Sequence, residues 1–276
     1  MRGERGELDP SGHRSQGRTD EGPQRHDHVS QDTIRGAVTP EEAARVAALG
    51  PFFAFEVHPK GSVAPEPWRV LSDLFEPGSG AFAERVAAVR AFLAAGGGRA
   101  PEEIEERVAA SVTHLGLVSR LLSPVLGCAA ALGRIPSLDP ERVRWQAELG
   151  GTFPLSLPED AFGSGEDVPL SAVVDGALRP LEAVALPMSV SPHILRGNAA
   201  SALNGAARAA AHSSSPHADR VRAVASELLD DPYLADAFSD EDGTFRRRSC
   251  CLIYRAAPDG AGGLCGDCVL AGGGGA

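Results

Sequence analysis

The sequence predicts a mainly α protein with a small β-hairpin and a cysteine-rich C-terminal segment. Three observations carry this prediction. Apolar residues recur at helical spacing through most of residues 39–230. Strict alternation is confined to a short stretch on either side of Gly150-Gly151. Four of the five cysteines fall within nineteen residues near the C-terminus.

The 276 residues allow one large domain or two small ones. Five cysteines are too few to staple a fold of this length. A formal net charge of −11 argues against a general nucleic-acid binder, which needs a basic footprint to displace counterions. No apolar run reaches the ~20 residues of a membrane span. The polar N-terminus lacks the apolar stretch of a secretory signal, so a cytoplasmic globular protein is expected. Lys60 is the only lysine, a compositional bias that lowers the weight of any single arginine.

Residues 1–36 mix charge with Gly, Ser, Gln and Pro and are expected to form a disordered tail in which His13, His26 and His28 are solvated. Thr39-Pro40-Glu41-Glu42 is a capping box, opening a helix that stops at Gly50. A second helix is expected over 66–75, with Trp68, Leu71 and Phe75 on one face. A third spans 80–95, where Phe82, Val86, Val89 and Leu93 recur before three glycines. A long amphipathic pattern follows through Val108, Val112, Leu115 and Val118, with an interruption expected at Pro124. Val143, Trp145 and Ala147, then Phe153, Leu155 and Leu157, alternate as a hairpin near 142–158. Helical patterns return at 170–186, 192–211 and 217–230. The expected organisation is a tail over 1–36, a helical body over 37–243 and a C-terminal segment over 244–276 packed on the body as one domain.

The cysteines read C-C-x13-C-x2-C, and the intervening Gly- and Pro-rich stretch can fold both pairs to one point. A C-x2-C turn containing Gly266 presents two thiolates to one centre. Disulfides are disfavoured in a reducing compartment, and a bond between Cys250 and Cys251 would close a strained ring. Four thiolates suit zinc, but adjacent side chains reach a single ion awkwardly. A two-iron cluster is wider than one ion, so the spacing favours an iron–sulfur centre over zinc while leaving both open.

The segments RRRSCCLIYR and GGLCGDCVL resemble the C-terminal signature of the FhuF-like ferric siderophore reductase family. Residues 191–203, containing Gly197, Asn198, Ser201 and Leu203, are similar to that family's G-N-x-A-S helix. The resemblance covers about residues 40–270. Two departures are a longer gap between the cysteine pairs and Arg196 in place of a tryptophan.

The resemblance implies that Cys250, Cys251, Cys265 and Cys268 ligate a 2Fe–2S cluster, with the adjacent pair on one iron and the C-x2-C pair on the other. It implies one-electron reduction of siderophore-bound Fe(III) to Fe(II), which loosens the hold of hard oxygen donors. No flavin or nicotinamide motif is evident, so the implied donor is a ferredoxin or a small reductant. Arg246, Arg247, Arg248, Arg255 and Asn198 are the candidates for binding substrate or donor. Asn198 and Ser201 could orient substrate, but a helix cap or a buried hydrogen bond is the favoured reading of both, and Phe245 and Tyr254 are expected to shield the cluster. Cys128 reads as a core residue, and His114 and His193 lack partner spacing. Two other functions compete: a zinc-stabilised interaction protein, and a 2Fe–2S electron carrier or redox sensor without a siderophore substrate.

Overall fold

The computed structural model describes residues 37–76, 78–162, 168–241 and 243–272. The expected tail and its three histidines lie outside these residues. The first helix, α1 (Pro40–Ala47), starts as its capping box dictates. Glu42 N donates to Thr39 Oγ1 at 3.1 Å, and Thr39 N donates to Glu42 Oε2 at 3.0 Å.

Strands β1 (Glu56–His58), β2 (Arg69–Val70), β3 (Arg144–Trp145) and β4 (Leu155–Pro158) form one sheet in the order β1-β4-β3-β2. The expected hairpin is its centre, with Trp145 opposite Leu155 in antiparallel register. β1 adds in parallel to β4, and β2 adds antiparallel to β3. The helix expected over 66–75 is therefore corrected to β2 followed by a single turn, α2 (Ser72–Phe75). Pro67 disfavours helical backbone at Glu66, and the chain enters extended beside Trp145. Leu71 and Leu74 are still fully buried.

Helix α3 (Ala81–Gly96) leads to α4 (Glu106–Leu132), the centre of the body. The expected interruption at Pro124 does not occur, because α4 runs through it. Proline removes one backbone donor there, and burial of the helix on nearly every side offsets the loss. By length and composition α4 could cross a membrane, but 72% of its most apolar window is buried inside the protein. Cys128 lies in this core, where burial pushes its thiol pKa up.

Beyond the sheet, α5 (Ser171–Val173) passes through a π turn (Val174–Leu178) into α6 (Arg179–Ala185). Helix α7 (Pro192–His212) begins at Ser191, whose Oγ accepts from Ile194 N, and α8 (Ala218–Leu229) returns beside it. α7 packs along α4, and α8 packs on both. A second hairpin, β5 (Phe238–Glu241) and β6 (Thr244–Arg247), was not expected and straddles residue 243. Its Phe238 and Phe245 rings stack at 5.0 Å.

Arg120 ties the sheet end of the molecule to α4. Its guanidinium donates to three carbonyls, Phe153 O at 2.8 Å, Phe52 O at 3.0 Å and Ala54 O at 2.6 Å. Arg120→Met keeps the buried stem but leaves these acceptors unpaired. The expected loss is about 2–4 kcal/mol in a chemical denaturation series, with an unchanged denaturant slope.

Candidate metal centre

β6 delivers the first cysteine pair. After Arg247 the chain passes Arg248 and Ser249 to Cys250 and Cys251, then turns at Leu252, whose φ is 69°. Two short 3-10 turns, Ile253–Ala256 and Pro258–Gly260, carry it toward the second pair. Arg99 pins this connection by donating to Ala256 O at 3.3 Å and Ala257 O at 3.2 Å. Ala256 also packs with Ala94, Ile104 and Val108 in a small second core. The linker is thus held against the α3–α4 corner. The C-x2-C turn closes with Cys268 N donating to Cys265 O at 3.1 Å.

All five cysteines are free thiols. Among the described residues, no three His, Cys, Asp or Glu side chains gather closely enough to hold a single ion. The sulfurs instead meet in two pairs, Cys251 with Cys265 and Cys250 with Cys268. Each pair takes one cysteine from each half of the motif. Adjacent side chains outside a helix diverge, so Cys250 and Cys251 face different sulfurs of the turn. Backbone donors serve the sulfurs as well, Leu252 N to Cys250 Sγ at 3.3 Å and Leu270 N to Cys268 Sγ at 3.4 Å.

The thiols are not equivalent. The hydrogen bond from Cys265, with help from the Ile253 N–H and Arg247, pulls the Cys251 pKa down to about 6. The same bond, with burial, pushes Cys265 up. Burial also raises Cys250. The pair therefore already favours one thiolate, the form that binds metal.

Helix α7 docks both halves of the motif. Asn198 is fully buried and donates through Nδ2 to Ser111 O at 3.0 Å and Ser111 Oγ at 3.2 Å. Its Oδ1 accepts from Arg247 Nη2 at 2.6 Å. The Ser111 hydroxyl donates to Cys251 O at 2.9 Å, joining α4 to the first pair. Asp267, inside the C-x2-C turn, accepts from Ser201 Oγ at 2.7 Å and Asn204 Nδ2 at 3.0 Å, and pairs with Arg208 at 3.4 Å. Its carbonyl accepts from Arg247 N at 3.0 Å, so the turn and β6 are also joined through backbone. Gly197 permits this approach, since a Cβ there would overlap Ser249 Oγ.

These positions revise several expectations. Arg247 and Asn198 are interior residues, 1% and 0% exposed, and cannot reach a substrate or donor. Arg255 pairs with Glu105 at 2.5 Å. Arg246 and Arg248 remain exposed beside the first pair. Ser201 is spent on Asp267, and Phe245 on Phe238. Arg196 bonds Glu182 through two nitrogens at 3.2 Å each and lies over the Tyr233 ring. His114 is buried with both ring nitrogens unpartnered, and burial, with Arg247 nearby, holds its pKa down to about 3. His193 Nε2 lies 3.3 Å from Arg248 O and lines a cavity of about 340 Å3 with Ser191, Arg196, Tyr233 and Asp236.

Sequence reasoning missed Ser111, Asn204, Arg208 and Asp267. A signal for two of them was present. Asn198, Ser201, Asn204 and Arg208 fall on one face of an otherwise alanine-rich helix.

The geometry makes Asp267 the latch of the second pair. Asp267→Ala removes the acceptor of three side chains and is expected to cost about 2–3 kcal/mol. In the metal-free protein it should also accelerate alkylation of Cys265 and Cys268 under native conditions. Arg208→Ala, which removes a mostly exposed partner, should cost about 1 kcal/mol or less and leave the alkylation rate near that of the parent.

Four thiols in two pairs, with backbone donors on the sulfurs and a buried guanidinium beside them, fit an anionic centre with two metal atoms. Residues 247–270 match the family model described as the FhuF 2Fe-2S C-terminal domain. No curated protein matches the chain. The C-terminal segment of the protein is thus similar to the FhuF 2Fe-2S C-terminal domain, and its four clustered cysteines support a 2Fe–2S cluster.

Proposed function

We propose that this protein is a cytoplasmic ferric-siderophore reductase in which Cys250, Cys251, Cys265 and Cys268 hold the 2Fe–2S cluster. The observation that carries the reading is the meeting of these four free thiols in two pairs within the FhuF-type segment. When bound, the cluster supplies one electron at a time. The substrate Fe(III) accepts that electron and becomes Fe(II), which hard oxygen donors hold less firmly. A low-potential one-electron carrier, such as a ferredoxin, or a small reductant replaces the electron.

The chain's own residues set access to the site. Cys250 and Cys265 are partly exposed while Cys251 and Cys268 are buried, so one edge of the centre faces solvent. Arg246 and Arg248 flank that edge and can attract an anionic chelate or the acidic face of a donor. The cavity at His193 opens beside the strand that leads to Cys250 and offers the chelate a seat.

Aerobically purified protein is expected to be red-brown, to contain iron and sulfide in equal amounts, and to show an EPR signal after dithionite. Cys265→Ser should lose the colour and Cys128→Ser should keep it. Dithionite-reduced protein mixed with ferric siderophores should regain its colour and yield one trapped Fe(II) for each electron released. A colourless protein with stoichiometric zinc would overturn the cluster assignment in favour of a zinc-stabilised interaction protein. A coloured protein that no ferric chelate reoxidises would overturn the reductase assignment and leave an electron carrier or redox sensor.

A further inference from the structure

We infer that Arg247 is the fixed positive charge against which the cluster is seated, a positioning residue that raises the cluster's reduction potential from inside the protein. The inference rests on the ligand assignment proposed above. Arg247 is 1% exposed, yet among the described residues it makes no ion pair. Its Nη2 donates to Asn198 Oδ1 at 2.6 Å and to Ile194 O at 3.4 Å, both uncharged. Its Nε and Nη1 are buried without any acceptor. Asp267, whose carbonyl accepts from the Arg247 N–H, turns its side chain to Ser201, Asn204 and Arg208 instead.

A guanidinium stripped of water and left without an anion is strongly unfavourable, so the site demands a negative partner. The thiols of Cys251 and Cys265 lie within reach of its charge, and the other buried titratable neighbour, His114, is held neutral. A 2Fe–2S centre with four thiolates is anionic and gains one further negative charge on reduction. A buried cation stabilises the reduced form more than the oxidised form, and burial spares it from salt screening. Arg246 carries the same charge one residue away but points to solvent, where its field is screened.

The test is the midpoint potential of the assembled cluster, measured by spectroelectrochemistry on the full chain. Arg247→Gln should shift the equilibrium at least tenfold toward the oxidised form, about 59 mV lower for a one-electron couple. Arg246→Gln makes the same change in net charge and should shift it less than twofold. Arg247→Lys should retain most of the parent potential. Asn198→Asp supplies the missing carboxylate beside the guanidinium and should lower the potential without altering Arg247. If Arg247→Gln takes up no cluster, Asn198→Asp decides alone. A purely structural role for Arg247 would change cluster content but leave the potential of the assembled centre unmoved. Potentials within twofold of the parent for Arg247→Gln or, failing its assembly, for Asn198→Asp would overturn the inference. Retention of the cluster in the Cys265→Ser protein would instead overturn the ligand assignment.

Discussion

The C-terminal segment is joined to the helical body by a hydrogen bond of 2.6 Å between two buried side chains, Arg247 Nη2 and Asn198 Oδ1. The Asn198 amide passes the connection to Ser111 on α4, and the Ser111 hydroxyl passes it to the carbonyl of Cys251. One asparagine thus fixes the relative positions of α7, α4, β6 and the first cysteine pair. The absence of a side chain at Gly197 is a condition of the same contact, because it lets β6 lie flat on α7. The second pair depends on an equivalent device one turn further along α7, where Ser201 and Asn204 hold Asp267. Two thiol pairs separated by thirteen residues in the chain meet because one polar face of α7 holds both halves.

The helices were legible where local signals and burial agree. Thr39 and Ser191 cap helices as their neighbours in sequence dictate, and Gly96 and Gly97 end α3. Pro124 misled because its penalty is local, whereas the compensation is burial of the α4 faces against partners distant in sequence. Residues 66–75 misled for the opposite reason. Apolar residues at helical spacing there serve a strand edge at Arg69 and Val70 and a single helical turn at Leu74. The β5–β6 hairpin was hidden by its charged composition, since its pairing is backbone-driven and only Phe238 and Phe245 mark a shared face.

At the site, the cysteines were legible because thiol spacing is itself a chemical constraint. The roles of the arginines were not. Arg246, Arg247, Arg248 and Arg255 are identical in composition, but two are exposed, one is paired with Glu105 and one is interior. Strand alternation separates Arg247 from Arg246 and Arg248 once the register of β6 is known, and a strand with alternate solvated arginines is one of the two sequence readings of this segment. Asp267 was concealed by its surroundings. Between two cysteines it reads as part of the metal turn, while its side chain faces α7.

Three of the four buried arginines among the described residues, Arg85, Arg120 and Arg247, show how an interior cation is accommodated in this fold, and the contrast identifies the one left unfinished. Arg120 spends its guanidinium on three backbone carbonyls that the sheet leaves open, so its burial completes the structure. Arg85 leaves Nη1 unpartnered but lies over the faces of Trp145 at 5.3 Å and Phe153 at 4.7 Å, whose π electrons attract the charge. Burial pulls the pKa of both down to about 10, so each remains charged at neutral pH. Arg247 has neither a full set of carbonyls nor an aromatic face, and two of its nitrogens are unpartnered. Two arginines are satisfied by the polypeptide alone. The third calls for an anion, and by the inference drawn above that anion is the cluster, which makes it part of the folded protein's charge balance as well as its redox chemistry.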